Sequence, residues 1–198
     1  MLVGTFEVKS GALFVSDPCY TKDTWCAKKL ENVKNGTWIG HIEISDEGSW
    51  GKRVALLSAH HSETESSSYG NLYQSFEVGV DSGQMGIFDY DAHPNETGEF
   101  DGSGSLYDRI CNMTCNNKNS AGVVEHGVVS SSGFGDGGYE GRAFTDSTGK
   151  IVRVEVEFIG EDSHDCEENF DEFGCCDTCG NKVFETEDEI DCMDYEPE

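Results

Sequence analysis

Apolar residues recur at every second position through most of residues 1–160, the period of strands with one buried face. Phe6 and Val8 alternate with Thr5 and Glu7, and Trp38, Gly40, Ile42 and Ile44 alternate with Ile39, His41 and Glu43. Phe76, Val78 and Val80 form a third set. Val152, Val154, Val156 and Phe158 form the cleanest one, with Arg153, Glu155 and Glu157 on the other face. Residues 52–59 are more continuously apolar, as expected of a strand inside a sheet. Shorter runs at 12–15, 85–88, 123–129 and 143–144 bring the prediction to about eight or nine strands. The Thr148-Gly149 turn predicts a hairpin between residues 139–144 and the strand that begins near Val152.

Two segments follow a helical period instead. Residues 24–33 come after the potential cap Asp23 and place Trp25, Leu30 and Val33 near one face. Leu106–Cys115 follows Gly104-Ser105 and spaces Leu106, Ile110 and Met113 as a helix would. The predicted fold is α+β and β-rich: a compact antiparallel, sandwich-like domain over 1–160 with two short helices. An acidic, cysteine-rich appendage over 161–198 follows it.

Charge separates these two parts. The 198-residue chain has a formal net charge of −26, and residues 161–198 hold 16 Asp/Glu against the single basic residue Lys182. The tail thus carries most of the net charge and leaves the body mildly acidic. Such a chain repels phosphate backbones and anionic membranes, so the expected partners are a small polar ligand, a cation or a basic protein surface. No window reaches the length of a membrane helix. Residues 1–15 lack a continuous apolar run and a small-residue cleavage site, which predicts no signal peptide and a cytoplasmic location.

In a reducing compartment the nine cysteines read as free thiols or metal ligands rather than disulfides. Cys176-x-x-Cys179-Gly180 has the form of a zinc knuckle. Cys166 and Cys192 (or Cys175) are the candidates to complete a tetrahedral structural zinc site. The alternative is a tail that is unstructured or trapped by disulfides. Cys111 and Cys115 lie one helical turn apart and read as small buried hydrophobes.

The remaining candidate chemistry sits in loops. The run Ser132-Gly133-Phe134-Gly135-Asp136-Gly137-Gly138-Tyr139 looks like a phosphate-binding glycine motif, but a strand follows it rather than a helix N-terminus. It is read as a tight loop that presents Asp136. Asp89, Asp91 and His93 have the alternate spacing of a calcium loop, yet Pro94 stands where the turn glycine belongs. His60 and His61 end the apolar strand on opposite faces, so only one of them could enter a common site.

Three motifs occur in order: Ser10-Gly11-x-Leu13-x-Val15-x-Asp17-Pro18-x-Tyr20, Val80-Asp81-Ser82-Gly83 with Asp89, and Ser132-Gly133-x-Gly135-Asp136-Gly137-x-Tyr139. Together they resemble an uncharacterised domain-of-unknown-function family of bacterial and phage proteins, over roughly residues 4–160. The resemblance implies a compact β-rich domain and brings no activity with it. If the motifs converge, Asp17, Tyr20, Asp81, Asp89, Asp136 and Tyr139 line one pocket or one sheet edge. Three functions fit: a non-enzymatic protein binding a small polar ligand or cation there, an acidic inhibitor that mimics nucleic acid toward a basic host protein, or a metal-dependent hydrolase using Asp81, Asp89 and Asp136 with His60 or His61. Binding without chemistry is the leading expectation.

Overall fold

The alternating segments pair into two antiparallel sheets. The computed structural model describes residues 1–64 and 71–160, so the expected zinc ligands Cys166, Cys176, Cys179 and Cys192 lie outside the described residues. The strands are β1 (Leu2–Val8), β2 (Ala12–Ser16), β3 (Lys28–Glu31), β4 (Gly36–Asp46), β5 (Lys52–His61), β6 (Asn71–Val80), β7 (Gln84–Asp89), β8 (Ala121–Val124), β9 (Gly127–Ser131), β10 (Gly137–Thr145) and β11 (Ile151–Glu157). One sheet runs β1-β4-β5-β11-β10-β6 and the other β3-β2-β7-β9-β8. Helix α1 (Leu106–Cys115) and a 3-10 turn at Gly48–Trp50 are the helical segments among the described residues.

The inner faces of the two sheets meet in one apolar core. Phe6, Val8, Trp38, Ile42, Leu57, Val78 and Val154 from the six-stranded sheet pack against Leu13, Val15, Ile87 and Val128 from the other. The five-stranded sheet also buries its second face, where Phe14, Phe88, Val124 and Val129 pack with Ile110 of α1. Every residue of β2 and β7 is therefore buried, which explains why both read as continuous apolar runs. The outer face of the six-stranded sheet is polar instead. Arg142, Arg153, Glu155 and Glu157 form an ion-pair row across it, with Arg153 2.6 Å from Glu155.

Close approach is bought with glycine at one point. The Phe88 ring lies across Gly86 and Gly127, and a Cβ on either would fall 2.1 or 2.3 Å from it. Helix α1 begins as its sequence predicts: Ser105 caps it by accepting from the Asp108 N–H at 3.0 Å. The β10–β11 hairpin also forms, with Ala143 opposite Val154 and Phe144 opposite Arg153.

Two expectations are corrected. Residues 24–33 do not form a helix. Turns at 21–27 lead into β3, whose Leu30 pairs with Leu13 of β2 and is buried, while Trp25 is 92% exposed. Backbone pairing to β2 outweighs a weak local period in a segment with only three apolar anchors. The run 123–129 is a hairpin rather than a single strand, with β8 and β9 closing on a turn at Glu125-His126. Splitting that run and adding β3 raises the strand count above the predicted eight or nine. No helix among the described residues is long and apolar enough to cross a membrane.

Candidate binding groove

The Asp17 motif is a structural brace. Fully buried β2 ends at Asp17-Pro18, where proline cannot continue the ladder. Asp17 is completely buried. Its Oδ2 accepts from the N–H groups of Asp81 (2.9 Å) and Ser82 (2.7 Å), and its Oδ1 accepts from Cys19 N–H (2.9 Å) and Ser82 Oγ (2.7 Å). Four donors fill the carboxylate and lock the β6–β7 turn to the end of β2.

The surrounding groups are held in their neutral forms. Burial, then Asp17, pushes the Cys19 thiol up to about 12. The Tyr20 phenol is raised by burial and then by its hydrogen bond with Cys26. Burial pushes Tyr107 up to about 12 despite a hydrogen bond to Ser82 that acts the other way.

The glycine loop reaches the same end of the molecule. Ser132 N–H donates to Gly83 O at 3.0 Å, and Gly137 pairs with Val80. Tyr139 is its internal support: the phenol oxygen lies 2.9 Å from Ser132 O and 2.7 Å from Gly135 O, and the ring stands edge-on to Phe158. Asp136 is exposed beside it. Asp17, Tyr20, Asp81, Asp136 and Tyr139 are thus gathered at one end.

Asp89 is not with them. It pairs with Leu13 at the other end of β2, four residues from Asp17 and so about 13 Å away along the strand. Its carboxylate is filled as well, by the N–H groups of Lys9 (2.6 Å), Ser10 (2.9 Å) and Ala92 (3.0 Å). Burial opposes ionisation there, but these amides outweigh it and hold Asp89 below the usual carboxylate range.

The histidines scatter. His60 stacks on His41 at 5.1 Å, on the outer face with Arg153 as its cross-strand neighbour. His61 is buried, with Nδ1 accepting from Glu63 N–H (3.2 Å) and Nε2 lying 3.1 Å from Asn35 O. Asp81, Asp89 and Asp136 therefore share no centre with either. No group of three or more His, Cys, Asp or Glu able to hold a metal occurs among the described residues. Cys111 is buried but Cys115 is exposed, so the pair is not jointly packed as its spacing suggested.

Two features escaped the sequence pattern. The first is a histidine pair, with His93 Nδ1 3.2 Å from Nε2 of the half-buried His126. His93 is 1% exposed, stacks on Phe88 at 4.1 Å, and its Nε2 has no partner among the described residues. Burial, then the neighbouring His126 and Lys22, pushes it down to about 3.

The second is a groove of about 430 Å³ lined by Ser75, Phe76, Glu77, Gly138, Tyr139 and Glu140. Glu77 and Glu140 stand directly opposite each other on β6 and β10, and Glu140 is also opposite Glu157 of β11. Glu157 is neutralised by Arg142. Glu77 and Glu140 are exposed and make no ion pair among the described residues. Gly138, the next outward position on β10, has open space above it, whereas its partner Gly79 is covered by the Cys26 side chain. No protein-family model, curated protein or solved structure matches this chain. Geometry and charge are therefore the grounds for a function, and the groove is where both concentrate.

Proposed function

We propose that the chain is a non-enzymatic binding protein that takes a cationic group between Glu77 and Glu140. The observation that carries this reading is the cross-strand pair of unneutralised carboxylates beside an open groove. Like charges directly opposite each other on a sheet are unfavourable, and a bound cation removes that repulsion. The net charge of −26 draws cations toward the surface and repels anions. Binding is favoured over chemistry by the way the potentially reactive groups are used. Asp17 and Asp89 are filled by internal donors, and the Cys19 thiol stays protonated at neutral pH.

A second reading rests on the row Glu43, Leu56, Glu157, Glu140 and Glu77, which crosses the outer face strand by strand. Carboxylates spaced in this way suit an acidic surface that occupies the basic groove of a nucleic-acid-binding protein. The discriminating test uses Nα-acetyl-lysine amide as the probe, followed by amide NMR at low salt. Under the first reading, the signals of Ser75, Glu77, Gly138 and Glu140 shift, and the shifts disappear in the Glu77→Gln/Glu140→Gln variant. Absence of shifts at millimolar probe, or shifts unchanged in that variant, overturns it.

A further inference from the structure

The groove lies along a sheet edge, and that edge has an open stretch with defined limits. Strand β6 ends the six-stranded sheet. Gly79 N–H donates to Cys26 O at 3.0 Å, on the side away from β10. Inward and outward backbone groups alternate along an antiparallel strand. Glu77 and Ser75 therefore also turn their N–H and C=O groups outward, and neither finds a backbone partner there among the described residues.

Both ends of this stretch are closed. The residue 20–27 loop, through Cys26, occupies the edge at Gly79. At the other end the register shifts, Gln74 pairing with Ala143 and Leu72 with Phe144, so that Tyr73 is a bulge. What remains without an outward backbone partner among the described residues is 74–78, with Lys28 of β3 beside it, its Nζ 5.7 Å from the centre of the Phe76 ring.

The geometry points to an extended basic peptide as the partner, adding as a strand to residues 74–78 with a Lys or Arg beside Glu77 and Glu140. Resting on the cation reading above, this identifies the class of ligand that carries the cation. Main-chain hydrogen bonds to Ser75 and Glu77 would supply strand-addition affinity, and the side chain opposite Glu77 would supply selectivity. That side chain lies on the outer face about 5 Å from Glu77, over the groove. Charge complementarity chooses this occupant over a second copy of the chain, because pairing β6 with itself would bring two Glu77–Glu140 sets together. The open space above Gly138 leaves room for a long basic side chain to lie flat.

The test compares a (Lys-Thr)4 peptide with the same sequence N-methylated at alternate residues along the pairing edge, using calorimetry and amide hydrogen exchange on the full chain. The expected result is that the unmodified peptide binds and slows exchange at Ser75 and Glu77. The methylated peptide, missing two or more hydrogen bonds, should bind about tenfold more weakly or worse. Ser75→Pro removes one outward N–H without touching the ladder to β10 and should weaken the unmodified peptide similarly. The methylated peptide keeps the test decisive should that variant fail to fold.

Equal binding of both peptides, or no peptide binding while Nα-acetyl-lysine amide still shifts the groove signals, overturns strand addition and leaves the cation reading standing. Loss of all probe binding overturns both. Self-association through β6, seen as a dimer by sedimentation, overturns the choice of partner.

Discussion

Strands β2 and β7 of the five-stranded sheet bury every residue they contain, whereas β4 and β6 of the six-stranded sheet alternate buried and exposed positions. The difference comes from what covers the second face of the five-stranded sheet: α1 lies on β8 and β9 and adds Ile110 to the cluster, while Tyr90 and His93 pack on Phe14 and His93 also on Phe88. Strands sealed on both faces have no solvent-facing positions left to vary, so the polar residues at their ends serve as internal braces. The sheet with one wet face carries its ion pairs, its uncompensated glutamates and its open edge there. On the proposed reading, recognition falls to this sheet and the internal bracing to the other.

Replacing Phe88 with Ala should break this contrast most strongly. It empties the contact with Phe14 and His93 and should cost about 3–5 kcal/mol in chemical denaturation. Phe144→Ala on the outer face, where the ring meets Arg153 at 5.5 Å, should cost about 1 kcal/mol or less. Equal losses at the two sites would refute the assignment.

Next in size is Asp17→Asn, which turns an amide NH2 toward donors that now share a carboxylate. It should cost about 2–3 kcal/mol, in line with the loss of charge-assisted hydrogen bonds. Midpoint and denaturant slope together check this, since an unchanged slope shows that the denatured state is the same.

A third effect is a pH dependence seated in the sealed sheet. His93 titrates at about 3 in the folded protein against 6.5 for the ordinary group, so the unfolded chain binds the proton first. Its folded pKa is depressed, and stability therefore falls as the pH drops below about 6.5 and continues to fall toward 3. His126 is lowered too, chiefly by burial, with Glu125 and Asp89 opposing and Arg109 and Lys22 reinforcing the shift. Asp89 adds a loss in the same direction at lower pH. His93→Phe should flatten the slope of melting temperature between pH 6.5 and 4, and an unchanged slope would place the titration elsewhere.

The smallest effects belong to the wet face and the loop tips. Asp136→Ala should change stability by less than about 0.5 kcal/mol. Glu140→Gln should raise the melting temperature slightly at low salt, and this gain should vanish at high salt. A large loss from either would mean that these carboxylates brace the fold as Asp17 does.

The contrast between sheets also explains what could be read from the sequence. Alternation located β1, β4, β6 and β11, because a half-buried strand writes its period into its own residues. The Thr148-Gly149 turn located the β10–β11 hairpin, and Gly104-Ser105 the start of α1. Residues 24–33 misled because β3 is short and pairs with β2, so Leu30 is buried by a partner distant in the chain. The Glu125-His126 doublet inside an apolar run marked the β8–β9 turn, though only weakly. The acidic motifs do mark real positions, since Asp17 and Asp89 are deeply built in, but residue type alone does not reveal whether a carboxylate faces a ligand or three or four internal donors. The groove was illegible because Glu77 and Glu140 become neighbours only through register.

One consequence of the strand order concerns how the chain is made. β11 is the last described strand in sequence, yet it lies inside the six-stranded sheet between β5 and β10. Until residues 151–157 leave the ribosome, those two neighbours have an unfilled gap between them and the sheet cannot close. Pairings over such separations form slowly, on the scale of milliseconds to seconds for β-rich domains. A nascent chain arrested at residue 150 should be cut readily by protease, while one extended past Gly160 and clear of the exit tunnel should resist. Emergence of β11, and not of the strands before it, is what closes this fold.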